Sequence, residues 1–261
     1  MAQHKGHAIA PGGRPHHPQT GKPWRYLAHS FEAGRSGQLR CGAWHVAGFL
    51  LMAAGTQVGT HQSAVLALHY QNDVLHPHGK IRVGFHADSA QRQHVIAAAQ
   101  ALLSKARACA IPVVHVRIAY RPDYADLLTN APIFRQVASL GAVCEGSWGA
   151  GFHADLAPLQ DSPREFIVKH TRVNAFHDSP LEGILRILAT RRLIVAGVAT
   201  HSVVESTVRH AVDMGYEVVV NADACAAGSP GAHAASLENM RLIAEVCDGP
   251  ASLWRLDAGA S

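Results

Sequence analysis

The chain has 261 residues, is 48% hydrophobic and carries a formal net charge of +4, enough apolar material for one sizeable core or two small ones. That charge is mild and forms no dense Lys/Arg run interleaved with aromatics, which argues against a nucleic-acid partner. The longest apolar run, Gly42 to Ala54, is too short to span a bilayer, and the five cysteines, an odd number without CxxC spacing, fit a reduced, cytoplasmic protein with free thiols better than a disulfide framework.

Residues 1–60 read as a poorly ordered N-terminal extension. "HKGHAIAPGGRPHHPQTGKP" is rich in Gly, Pro and His and has no helix or strand period, so it buries too little apolar surface to offset its ordering entropy. Met52 stands just before the regular part, and both Met1 and Met52 remain candidate starts. Residues 61–261 read as one domain. "AVLALHY" is a buried-strand run ending near His69, "SAQRQHVIAAAQALLSKARACA" an Ala-rich helix, and "IPVVHVRIAY" a second strand. After a long connection "REFIVKH" is a third strand. "SPLEGILRILATR" opens a helix with Ser179 as N-cap, Pro180 at the first helical position and Glu182 three residues after the cap. "RLIVAGV" is a fourth strand, "HSVVESTVRHAVDMG" a helix closed by Gly215, and "YEVVVNAD" a fifth strand. "GAHAASLENMRLIAEVC" is a last helix and "ASLWRL" a sixth strand.

Near-continuous apolar strands alternating with helices predict a three-layer, doubly wound α/β domain: a mostly parallel six-stranded sheet with helices on both faces. Ligands in such sheets bind beyond the strand C-termini, which selects the residues just after Leu68, Val116, Val168, Val198 and Ala222. The fourth strand runs through "AGVATHSVVEST" straight into a helix. The unpartnered N–H groups and the dipole of that helix start offer a place for a developing oxyanion.

The string "AGVAT…VVEST…A…GYEVVV…DAC" resembles the isochorismatase-like family, also called the cysteine hydrolases. "AVLALHYQND" is similar to its first-strand motif, which usually ends Asp-x-Gln-Asn-Asp. "VKHTRVNAF" is similar to its Lys-containing third strand, and "PLEGILR" to the helix after it. The match covers about residues 63–255. The resemblance implies a hydrolase acting on a small molecule, with an Asp–Lys–Cys set. It also implies a non-proline cis peptide at Val198–Ala199 and oxyanion donors at the backbone N–H groups of Ala199 and Val203.

Carried over residue by residue, that set is missing. The Asp position is His69, the Lys position is His170, with Lys169 one residue earlier, and the Cys position is Val203. Successive strand side chains face opposite ways, so Lys169 reaches the site only through a bulge. Valine offers neither nucleophile nor proton, which excludes the covalent thiol route. Histidine titrates near neutrality and can donate or accept a proton, so His69 is the candidate acid–base group, with His170 facing it. Ser202 is either a helix-start cap or a serine nucleophile needing His201 or His69 as base. Asp73 supports the loop rather than reacting.

Arg117, Tyr120, Trp148, Arg172, Asn174, Phe176 and His201 are the candidate substrate-binding residues, a set suited to a carboxylate or a planar acid. His69, His170 and His201 at one sheet edge would suit zinc, but the nicotinamidase-type Asp/His cluster is not evident, and the expectation is no metal and no cofactor. Two functional readings stand: a hydrolase of a vinyl ether or an amide that works without a cysteine, or a catalytically silent member that binds a small ligand or partner. The expected protein is cytoplasmic and homo-oligomeric, with a small-molecule substrate and neither nucleic-acid nor membrane partners.

Overall fold

The computed structural model describes residues 62–84 and 89–249. The N-terminal extension and the proposed strand "ASLWRL" lie outside the described residues. The described part opens with β1 (Ser63–Leu68), a short α1 (Asn72–Leu75), α2 (Ala90–Ala108), β2 (Val113–Ile118), α3 (Pro132–Leu140) and β3 (Glu165–His170). It continues through α4 (Leu181–Ile187), β4 (Arg192–Gly197), a π-helical turn at Thr200–Val204, α5 (Glu205–Asp213), β5 (Glu217–Asn221), α6 (Pro230–Arg241) and β6 (Glu245–Cys247).

All strand pairings are parallel and the order is β3-β2-β1-β4-β5-β6. All six residues of β1 and of β4 are buried, because parallel strands at the centre of such a sheet are covered on both faces. The chain winds outward through β2 and β3, then crosses back to set β4 beside β1. That reversal opens a crevice beyond the C-terminal ends of β1 and β4. Gly197, paired with Leu68, is fixed there by close approach: a Cβ on Gly197 would collide with the Leu68 carbonyl oxygen. Among the described residues no helix is long and apolar enough to cross a membrane.

Two local expectations are corrected. The helix expected from Gly231 to Cys247 stops at Arg241, and Glu245–Cys247 instead adds β6 at the sheet edge, pairing with β5 through Val219, Val220 and Asn221. α4 begins at Leu181, one residue later than expected, with Ser179 Oγ accepting from the Leu181 N–H at 3.3 Å and donating to the Ala175 carbonyl at 2.6 Å. The long connection between β2 and β3 holds α3, which begins with Pro132 in its first turn and stops at Gly141, whose φ of 57° is left-handed. Proline preset for a first turn and glycine at a left-handed cap are the normal bounds of a helix.

Candidate active site

β1 ends at Leu68, and the next residue turns the chain out of the sheet. His69 has a φ of 57°, a left-handed conformation that histidine adopts more readily than branched residues do. Its N–H donates to the Val116 carbonyl at 2.9 Å, and its own carbonyl accepts from the Gln71 N–H at 2.8 Å. The following residues bolt the surrounding loops in place. Gln71 Nε2 donates to the carbonyls of Ile118 and Ala150, each at 2.9 Å, and its Oε1 accepts from the Ile118 N–H at 2.8 Å. Asn72 Nδ2 donates to the Trp148 carbonyl at 2.8 Å. Asp73 accepts from the N–H groups of Lys80 at 3.0 Å and Val143 at 2.7 Å, so its carboxylate is spent on loop backbone.

His170, the last residue of β3, meets His69 with their Nε2 atoms 2.5 Å apart and ring centroids at 4.9 Å. The other nitrogen, His170 Nδ1, donates to the Asn174 carbonyl at 3.1 Å. A carbonyl only accepts, so the His170 proton resides on Nδ1 and its Nε2 accepts from His69 Nε2–H. Nδ1 of His69 is left as the basic nitrogen of the pair. Both imidazoles are buried. Burial, and then the charge of His170, hold the His69 pKa well below the ordinary histidine value. Burial lowers His170 to about 4 against the opposing effect of its bond to Asn174. The pair is therefore neutral at pH 7.

β2 and β3 pair in continuous register, Arg117 with Lys169 and Ile118 with His170. No bulge brings Lys169 to the histidine side. Lys169 Nζ instead forms an ion pair with Glu145 at 2.7 Å, and Arg117 joins the same carboxylate at 2.6 Å. On the β4 side the Val198–Ala199 peptide is cis. The Ala199 carbonyl accepts from the Ser202 and Val204 N–H groups at 3.1 and 3.3 Å, closing the π-helical turn. Val203 is 1% exposed and belongs to the core.

Between these elements lies a cavity of about 100 Å³ lined by His69, Ala199, Ser202 and Arg172 and by apolar side chains of β2, α3 and their neighbours, including Ile118, Ile133, Phe134, Val137 and Val173. Ser202 caps no helix: among the described residues its hydroxyl makes no hydrogen bond, and it faces the same cavity as His69.

Several expected substrate contacts lie elsewhere. Arg117 shares the Glu145 side of the sheet with Lys169. Tyr120 is fully buried in a small core with Phe134 and Val137, its hydroxyl donating to the Thr171 carbonyl at 2.7 Å. Trp148 is 55% exposed and packs edge-on against His76. Phe176 stacks on His210 with centroids 5.0 Å apart. Asn174 serves through its carbonyl on His170, while its side chain bonds the Phe176 N–H at 2.8 Å and the Ser206 carbonyl at 3.2 Å. His201 is exposed and does not line the cavity. Among the described residues no three His, Cys, Asp or Glu side chains are grouped to hold a metal ion. The apolar wall from α3 was missed with the helix itself, whose signal was the Pro132 and Gly141 pair around Ile133, Phe134, Val137 and Leu140.

The family model for the isochorismatase domain matches residues 63–250. The chain belongs to the isochorismatase family. Within it, the chain is 32% identical over 146 residues to the isochorismatase family protein YecD of Escherichia coli O157:H7, covering 56% of this chain and 74% of that one. Among solved structures, an isochorismatase family protein from Desulfovibrio vulgaris is 27% identical with a TM-score of 0.65, over 76% of this chain and 98% of that one. A cysteine hydrolase from Pseudomonas syringae pv. phaseolicola 1448A shares the fold at 23% identity and a TM-score of 0.67, over 78% of this chain and 96% of that one.

Proposed function

We propose that this isochorismatase-family chain is a hydrolase of a small molecule that works without a cysteine nucleophile, with His69 as general base and water as the attacking group. One observation carries this reading: the hydrogen-bonded chain from His69 through His170 to the Asn174 carbonyl, in a cavity that also reaches Ala199 and Ser202. It is the arrangement of a base oriented by a second group. In the reaction, His69 Nδ1 takes a proton from water as the hydroxyl oxygen bonds to the substrate carbonyl carbon. The imidazolium formed on His69 donates Nε2–H to His170, and the oxyanion is received by backbone N–H groups of the turn, those of Ala199 and Val203. The same His69 proton then passes to the leaving amine as the C–N bond breaks.

The pair's neutrality favours one of the two substrate chemistries. Vinyl-ether hydrolysis starts with protonation by an acid, and a neutral imidazole is a poor one. Acyl hydrolysis starts with a base. The reading is therefore an amidase-type reaction. Its test is turnover on a panel of nicotinamide, maleamate, N-carbamoyl compounds and isochorismate. Amide turnover that His69→Ala lowers about 10²–10⁴-fold supports it; an unchanged kcat in that variant overturns it.

A second reading, a silent member that binds a small ligand, rests on the buried Val203 and on Lys169 being committed to Glu145. It requires measurable binding in this cavity and no turnover on any compound of the panel. The four described cysteines are free thiols, in keeping with a cytoplasmic location. The free backbone edge of β3, together with the 54% exposed Ile167 side chain on that strand, favours pairing with a second copy of the chain; light scattering decides that point.

A further inference from the structure

We infer that Arg172 is a carboxylate anchor, and that the ligand of this cavity is a small monocarboxylate: one anionic end on the Arg172 guanidinium, an apolar body, and an uncharged end at His69. The inference rests on the proposed function only for what happens at that uncharged end; the anchor itself is a property of binding.

Three observations lead to it. First, the walls are apolar apart from His69, Ser202 and Arg172, and among the lining residues Arg172 alone carries a formal charge. Second, that charge has only neutral partners. Its Nη1 donates to the Leu128 carbonyl at 3.3 Å, its Nη2 to Asn130 Oδ1 at 3.0 Å, and its Cζ lies 4.1 Å over the Phe134 ring. Among the described residues no carboxylate forms an ion pair with it. A cation beside an apolar wall, without a counter-ion, favours an anion there more strongly than a solvated lysine would. Third, the guanidinium is already oriented. Two carbonyl-type acceptors and an aromatic face fix its plane, which lowers the ordering cost of binding a planar carboxylate by paired N–H bonds.

The other end sets the charge count. His69 and His170 are neutral there, and Lys169 and Arg117 are on the far side of the sheet with Glu145. A second carboxylate would enter an apolar cavity with no cation to meet it. The site thus selects against dicarboxylates. If the uncharged end is an amide, hydrolysis turns it into a second carboxylate, and the product loses affinity as it forms. The volume of about 100 Å³ restricts the body to a few carbons, since a cavity of about 150 Å³ holds benzene.

The test uses three compounds of one shape on the full chain: crotonate, the uncharged but-2-en-1-ol, and the dicarboxylate fumarate, each titrated by calorimetry. Crotonate is expected to bind at least about tenfold more tightly than either of the others, a difference of about 1.4 kcal/mol. Arg172→Gln should remove that preference, leaving but-2-en-1-ol unaffected, while Arg172→Lys retains part of it; thermal melts of both variants check that the fold stands. Equal binding of crotonate and but-2-en-1-ol, no binding of crotonate, or an unchanged crotonate affinity in folded Arg172→Gln each overturns the anchor. The two proposals separate cleanly. Selective crotonate binding with no turnover of fumaramate or of any compound of the panel keeps the anchor and removes the hydrolase. Fumaramate turnover with kcat/KM indifferent to Arg172→Gln does the reverse.

Discussion

His69 and His170 face each other through their Nε2 atoms at 2.5 Å, and only one of the two nitrogens can carry a proton while the pair is neutral. Because the Asn174 carbonyl claims the Nδ1 proton of His170, the direction of the shared bond is set, and the free basic site is Nδ1 of His69. In the family motif this position is an Asp. Replacing a carboxylate by a buried imidazole pair exchanges a permanent negative charge for a neutral base, and the mechanism has to follow.

The first expectation concerns pH and activity. Burial and the neighbouring His170 depress the His69 pKa, so the base is already unprotonated at neutrality. kcat/KM should be level through pH 7 and decline only on the acid side, below the ordinary histidine range, when the pair takes up a proton. A profile that instead rises as pH falls through 6 would identify His69 as an acid.

The same shifts bear on stability. His170 titrates near 6.5 when unfolded and at about 4 when folded, so its folded-state pKa is depressed. The stability linked to keeping it neutral is complete above pH 6.5 and is lost as pH falls from there to about 4, on the order of 3 kcal/mol for a shift of this size. Denaturant midpoints should drop between pH 7 and pH 4.5 accordingly, and His170→Leu should flatten the slope between them. An identical slope in that variant would place the acid sensitivity elsewhere.

Thiol chemistry offers an independent check. Cys225 is 3% exposed, and burial pushes its thiol up to about 12, so it is not a nucleophile at pH 7. Hydrolysis should survive iodoacetamide. Inactivation that tracks alkylation of a single cysteine would mean that the attacking group has been misassigned.

Gly149 lies where a Cβ would collide with the Asp73 carboxylate, the group that holds the N–H of Val143 and of Lys80. Gly149→Ala should destabilise the fold by about 1–3 kcal/mol, the usual cost of forcing an extra methyl into packed structure, and should loosen the loop that Gln71 and Asn72 brace. A variant with wild-type melting behaviour would show that this loop yields freely.

The strands were legible because burial on both faces writes an uninterrupted apolar run, as in "AVLAL" and "RLIVAG". β6 was not, since three residues leave no run to see. At the site, the family motifs pointed to His69, His170 and Ala199, and β3 runs in unbroken register with β2 through Lys169 and His170. Strand alternation applies to Arg117, which pairs with Lys169 across the ladder and so belongs on the far side. Tyr120, Trp148 and Phe176 lie beyond strand ends, where alternation stops. Which way such side chains point depends on contacts between distant loops, and no local pattern encodes them.

The last expectation concerns Val203, the position of the family cysteine. Restoring sulfur there does not restore the chemistry. A thiol becomes a nucleophile only when something stabilises its thiolate. Here the Asp position holds a neutral histidine, His170 takes the Lys position, and Lys169 is engaged with Glu145 on the other side of the sheet. Val203 is also 1% exposed, and burial raises a thiol pKa. Val203→Cys should therefore fold, since the two side chains are close in size, but its new thiol should alkylate with a pKa at or above the ordinary value of about 8.5. Amide turnover should stay near the wild-type rate. A low-pKa thiol in the Val203→Cys variant that forms an acyl intermediate, seen by mass spectrometry, would instead show that His69 can serve a cysteine as it is proposed to serve water.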